Sequence, residues 1–207
     1  MYARTTTVRG DPRAVDDGIA HVRDTVWPAL QGMSGCVGMS MLADRMEGRC
    51  IVTAAWATDE AMRASAETVR DVRSKAAEVM RAELIDVAEW EIAVLHRVHP
   101  AGEGACARVI WAEVDREEMD DVVAAFRMSL LSRMEELPGF CSVSLMVDRG
   151  TGMATAAITY RDRESLEASR EMGADMREEF AVAMDARITE VAEFDLVIAH
   201  LRVPETV

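Results

Sequence analysis

Val87-Ala88-Glu89-Trp90-Glu91 and Val191-Ala192-Glu193-Phe194-Asp195 are one phrase given twice, 104 residues apart. The same offset brings Asp16-Asp17 onto Asp120-Asp121, Asp44-Arg45 onto Asp148-Arg149 and Gly48 onto Gly152. It also brings Ala64-Ser65 onto Ala168-Ser169 and His96 onto His200, with no gap anywhere. A repeat this long is a duplicated domain, not a solenoid of short units. Two like halves in one chain can bury one another as the subunits of a homodimer would. The boundaries expected are 1–100 for the first repeat and 105–207 for the second, joined by His99-Pro100-Ala101-Gly102-Glu103-Gly104.

Within each half the periodicity gives the element order. Residues 3–9 are rich in β-branched side chains and read as a strand. Asp11 caps a helix whose first turn accepts Pro12. Val15, Ile19, Val22, Val26 and Leu30 then follow at helical spacing, matched by Met119, Val123, Phe126, Leu130 and Met134. Pro28 is expected to kink or end this helix, and Ser132 in its place to let the second copy run straighter. Strands at 36–44 and 49–57 flank a hairpin turn, Asp44-Arg45-Met46-Glu47-Gly48; the second copy has Asp148-Arg149-Gly150-Thr151-Gly152. Thr58 and Asp162 cap a second helix, with Met62, Val69, Val72, Ala76 and Val79 as the first copy's buried stripe. Last strands cover 86–98 and 190–202. The fold class is therefore α+β: two ferredoxin-like β-α-β-β-α-β repeats, helices on one face of each sheet. The other faces are expected to pack sheet to sheet as an intrachain barrel.

Composition narrows the partners. The net charge is −14, with Lys75 the sole lysine, so the surface repels phosphate backbones and nucleic acid is not an expected partner. No run of 18 or so apolar residues marks a membrane span, and no signal-like segment opens the chain, which points to the cytoplasm. Cys36, Cys50, Cys106 and Cys141 form no CxxC pair and none repeats at the 104-residue offset. They read as free thiols, with neither a disulfide nor a metal site.

The stretch Trp56-Ala57-Thr58-Asp59-Glu60-Ala61-Met62, its counterpart Tyr160-Arg161-Asp162-Arg163-Glu164-Ser165-Leu166 and the step Pro138-Gly139-Phe140 resemble the antibiotic biosynthesis monooxygenase family of dimeric α/β barrels. The resemblance spans both halves and implies the barrel fold. It leaves open cofactor-free oxygenation, in which a deprotonated phenol or anthrone gives electrons directly to O2. Family members that degrade haem carry a histidine on the second helix. Here 61–83 and 165–187 contain none; the histidines are His21, His96, His99 and His200. No cofactor and no metal are therefore expected.

The asymmetries between copies supply the candidate site. His21, replaced by Ala125, is the candidate catalytic base at a pocket rim. Trp56 and Tyr160, which end equivalent strands, and Thr7 and Trp111, which contrast on the first strands, are the candidate substrate-binding residues. The pocket is expected between helices and sheet in the first half, with Trp111 filling the matching space in the second. The repeated His96 and His200 suggest a structural role at strand ends. Glu89 and Glu193 read as rim acids. The function expected is a cofactor-independent monooxygenase, or a related small-molecule enzyme, acting on an aromatic, polyketide-like molecule. The alternative is a non-catalytic barrel for a small hydrophobic ligand or for stress response. An enzyme should show an enclosed cavity on the order of several hundred Å³ with converging polar groups. The chain is expected as a monomer with pseudo-two-fold symmetry, or a homodimer of it.

Overall fold

The protein is described from a computed structural model covering residues 1–201 and 204–206, the side chain of residue 201 excepted. The first repeat runs β1 (Tyr2–Arg9), α1 (Val15–His21), α2 (Trp27–Gln31), β2 (Cys36–Asp44), β3 (Arg49–Trp56), α3 (Asp59–Ala64), α4 (Ala66–Val79) and β4 (Glu83–Arg97). The second runs β5 (Cys106–Glu113), α5 (Met119–Ala125), α6 (Leu131–Glu135), β6 (Phe140–Asp148), β7 (Met153–Tyr160), α7 (Arg163–Ala168), α8 (Arg170–Ala183) and β8 (Arg187–Leu201). Residue 202, where the last strand was expected to end, lies outside the described residues.

Hydrogen-bonded neighbours run β1-β3-β2-β8-β5-β7-β6-β4, and the ladder closes on itself. This eight-stranded antiparallel barrel is the dimeric α/β barrel architecture in one chain. Two compact units compose it: Met1–Glu91 with Asp195–Val203, and Ile92–Phe194 with Pro204–Val207. The two fifteen-residue strands are shared. Residues 83–91 of β4 belong to the first unit and 92–97 to the second, and β8 divides in the opposite sense at residues 194 and 195. The first unit buries Val22, Leu30, Met39, Met41, Trp56 and Met62 in its core. The second buries Phe126, Met134, Tyr160, Leu166 and Met176.

The expected caps are in place. The Asp11 side chain accepts the Arg13 N–H, Thr58 that of Ala61, and Asp162 that of Ser165. Two helix expectations need correcting. First, the helix after β1 carries a π-helical turn in both copies, Val22–Val26 and Phe126–Leu130. The Trp27 N–H reaches the Val22 carbonyl, and the Leu131 N–H that of Phe126, each one residue beyond the α-helical partner. The Ser132 copy is therefore no straighter, and Pro28 is not the cause. Pro28 follows the π turn, in the first turn of α2, where its missing N–H is tolerated. Second, the next helix is not continuous. It breaks at Ser65 and again at Ser169, for a reason given below.

The repeated histidines do anchor strand ends, by different means. His96 Nε2 lies 2.8 Å from Glu135 of α6, and the His200 ring stacks on Trp27 of α2 at 4.8 Å between centroids. The four cysteines are free thiols. Among the described residues no helix is long and apolar enough to cross a membrane.

The hairpin glycines are sterically required. Gly48 (φ +64°) and Gly152 (φ +80°) adopt left-handed backbone, and a Cβ would strike the carbonyl oxygen of Gly10 in one case and of Val114 in the other. Gly48→Ala and Gly152→Ala are each expected to lower stability by about 1–3 kcal/mol. Urea denaturation checks this through a lower midpoint at unchanged slope.

Candidate functional site

The most heavily bonded polar cluster in each unit centres on a buried arginine that the sequence reading did not single out. Arg4 on β1 and Arg108 on β5 are equivalent by the 104-residue offset, and 4% and 3% exposed. A guanidinium carries five N–H donors, and burial is tolerable only if they find acceptors. Arg4 Nε and Nη2 donate to Glu89 Oε1 at 3.0 and 2.7 Å. Glu89 is the residue directly opposite on β4. Nη1 donates to Ser65 Oγ at 3.0 Å, and Nη2 also to the Met62 carbonyl at 2.9 Å. Arg108 repeats the pattern with Glu193, Ser169 and the Leu166 carbonyl. These bonds explain the helix breaks. Met62 O and Leu166 O are taken by the arginine and by the serine hydroxyl, at 2.7 and 2.8 Å from Oγ. Glu89 and Glu193, read from sequence as rim acids, are thus counter-ions to buried cations.

The two clusters differ. In the second unit Arg108 Nη1 also meets the Tyr160 hydroxyl at 3.3 Å, and Arg170 adds a second cation on Glu193 at 2.7 Å. Burial pushes the Tyr160 phenol up in pKa, against Ser169 and Arg108, so it stays protonated. Burial also raises Glu193, but hydrogen bonds from Arg170 and Arg108 outweigh it and hold the carboxyl below its ordinary value. In the first unit Ala66 stands at the Arg170 position and Trp56 at the Tyr160 position. The indole Nε1 of Trp56 is buried with no hydrogen-bond partner.

Each unit holds a cavity between its helices and its sheet. The first is about 50 Å³, walled by Val22, Val26 and Leu30 of the helix after β1, by Val52 and Ala54 of β3 and by α4. Its polar lining is Arg4, Thr6 and Arg73; no carboxylate and no histidine contributes. The second is about 80 Å³ and more hydrocarbon in character, with Phe126, Met176 and Phe180 prominent and Arg177 at the position of Arg73. Both π turns line these walls. Helix irregularities of this kind are frequent at functional sites.

The expected site residues do not converge. Strand alternation turns Arg4, Thr6 and Val8 toward the first cavity, so Thr7 faces the opposite side of β1. Trp111 likewise points away from the face carrying Ile110 and Ala112. The expectation that Trp111 fills the second cavity is corrected by this alternation. That cavity is open, and it is the larger of the two. His21 is half-buried at the end of α1, next to the lining residue Val22 but not itself in the lining. Trp56 and Tyr160 lie fully buried at strand ends and line neither cavity. Trp56 shares a β3 face with the lining residues Val52 and Ala54. The arginines were findable. A charged residue in the interior of a strand whose other charge sits at its last position, repeated at the offset together with Glu89/Glu193 and Ser65/Ser169, is the signature of a partnered buried charge. Among the described residues no cluster of three or more His, Cys, Asp or Glu could hold a metal ion.

No family model matches the sequence. Over its whole length the chain is 48% identical to Rv2558 and 44% identical to Rv2557, two uncharacterized proteins of Mycobacterium tuberculosis, covering 88% and 92% of them. Among solved structures, a monooxygenase candidate from Fusobacterium nucleatum superposes with TM-score 0.69 at 13% identity, across 97% of this chain and 94% of that one. An anthrone oxidase-like protein superposes with TM-score 0.67 at 11% identity, across 98% and 94%. These likenesses establish the fold, a ferredoxin-fold α/β barrel.

The depressed Glu193 pKa makes a signed prediction. A carboxylate of lowered folded pKa contributes stability above its unfolded value, about 4.3, and loses it as pH falls through the folded value. Glu193→Gln should cost about 1.5–3 kcal/mol at pH 7 by removing charged hydrogen bonds to Arg108. It should also flatten the loss of stability below pH ~4.3. Chemical denaturation at a series of pH values measures both.

Proposed function

The chain belongs to the family of the two mycobacterial proteins, and on that premise we propose that it takes a small aromatic molecule into the helix–sheet cavity of its first half and oxygenates it without a cofactor. One observation carries this reading: in a barrel of monooxygenase-like fold, the cavity is apolar except for Arg4 and Thr6 from β1 and Arg73 from α4. Cofactor-free oxygenation needs a substrate that is itself the electron donor, such as an anthrone or electron-rich phenol. Its deprotonated carbon gives an electron to O2, the two radicals combine, and the hydroperoxide loses water. A CH2 group and O2 thus become C=O and H2O. The protein's tasks are to exclude solvent, orient the ring and stabilise the anion. No carboxylate or histidine lines the cavity, so the arginines support this chemistry by favouring the ionised substrate rather than by taking its proton.

At about 50 Å³ the cavity alone is smaller than a tricyclic ring and well below the volume expected of an enzyme pocket, which favours the second reading, a non-catalytic protein for a smaller hydrophobic ligand. Arg73 and Ala77 also line an outer groove of about 310 Å³, formed with Ser74, Glu78, Arg81 and Leu84. In the oxygenase reading a tricyclic substrate lies across both.

The deciding measurement is O2 consumption by metal-free protein with 9-anthrone. The oxygenase reading expects about one O2 consumed per anthrone, quinone absorbance growing in step, and no effect of EDTA. A rise in melting temperature with anthrone but no O2 uptake above the buffer rate would leave the binding reading alone. Neither response would refute both.

A further inference from the structure

We infer that the first-half cavity together with the groove outside it takes its ligand as an anion, an oxygen-centred negative charge on an apolar ring, and that Arg73, which lines both, is the residue that holds the charge. The inference rests on the small-molecule reading of this cavity and names its ligand class.

Four observations converge on Arg73. It lines both the inner cavity and the outer groove. It is half-buried, and among the described residues no acid or carbonyl accepts a hydrogen bond from it. The other cavity arginine, Arg4, is neutralised by Glu89 at 2.7 Å, so Arg73 is the uncompensated charge of the lining. The groove's one acid, Glu78, is paired with Lys75 at 3.3 Å. Burial, then the like charges of Arg4 and Arg70, push the Arg73 pKa down, the direction expected of a cation lacking its counter-ion. An arginine nevertheless stays protonated, so the site remains positive.

The surroundings specify the rest of the ligand. Apart from Thr6 and the two arginines, the cavity is lined by Val, Leu, Ala and Met side chains, which favour a flat hydrocarbon body. The net charge of −14 means that bulk electrostatics repel an anion. Preference for one must therefore come from a local group, within about 8 Å at physiological salt.

The test compares two probes of like shape, 2-naphthoate and 2-naphthylmethanol, by isothermal titration calorimetry in 0.15 M NaCl. The wild-type protein should bind naphthoate about tenfold more tightly or better, the range of a charge-assisted hydrogen bond. Arg73→Met should erase that preference and leave the alcohol's affinity within about twofold. Arg73→Lys should restore most of it, and Arg177→Met in the second unit should change nothing. Melting temperatures by circular dichroism confirm that each variant is folded. Equal wild-type affinity for both probes would overturn the anion inference while leaving the cavity reading intact. So would a preference that survives Arg73→Met or is lost with Arg177→Met. Binding of neither probe would overturn both.

Discussion

A guanidinium removed from water must be surrounded by acceptors, and much of each unit's local geometry follows from meeting that demand for Arg4 and Arg108. The carboxylates come from the neighbouring strand, which ties β1 to β4 through directly opposed residues. The remaining acceptors come from a helix that interrupts its own hydrogen-bond ladder to supply them. Strand, strand and helix are thereby fixed at one point by bonds that are directional, unlike the hydrophobic contacts around them. Removing the carboxylate would leave the arginine buried and unpaired, a cost of several kcal/mol where burial is complete. The repetition of the whole cluster in both copies is what that constraint predicts.

The departures from repetition are as informative as the repeats. In the second unit Tyr160 and Arg170 complete the cluster, and the nearby cavity is lined by large hydrocarbon side chains. In the first unit the tyrosine position holds an indole that can only donate, and the arginine position holds alanine. Hydrogen-bonding capacity that is used up in one copy is left open in the other. This contrast, rather than the contrast on the first strands, distinguishes the halves.

The barrel was legible because its signals are periodic. The 104-residue offset, the alternation of strands and the 3.6-residue stripes agree with one another, and the caps Asp11, Thr58 and Asp162 stand where spacing puts them. The π turns were not legible, since a one-residue slip in the ladder leaves the apolar stripe nearly unchanged. The site was only partly legible. Thr7 and Trp111 stood out as a size contrast, but strand parity decides which face a residue occupies, and parity places their neighbours toward the cavities. Arg4 was passed over because an arginine on a strand reads as solvated until its repeated partners are considered together.

The shared strands bear on how such a chain could have arisen. Residues 92–97 end the last strand of the first repeat yet belong to the second compact unit, and residues 195–201, which end that of the second, belong to the first. A gene encoding one repeat alone would make a polypeptide whose last strand ends in a segment its own core cannot use. Such a product would bury that segment only by exchanging it with another copy, so one repeat expressed alone is expected to pair. Carrying both repeats in one chain makes that encounter intramolecular instead of concentration-dependent. With both sequences on one message, each copy became free to change without its twin changing too.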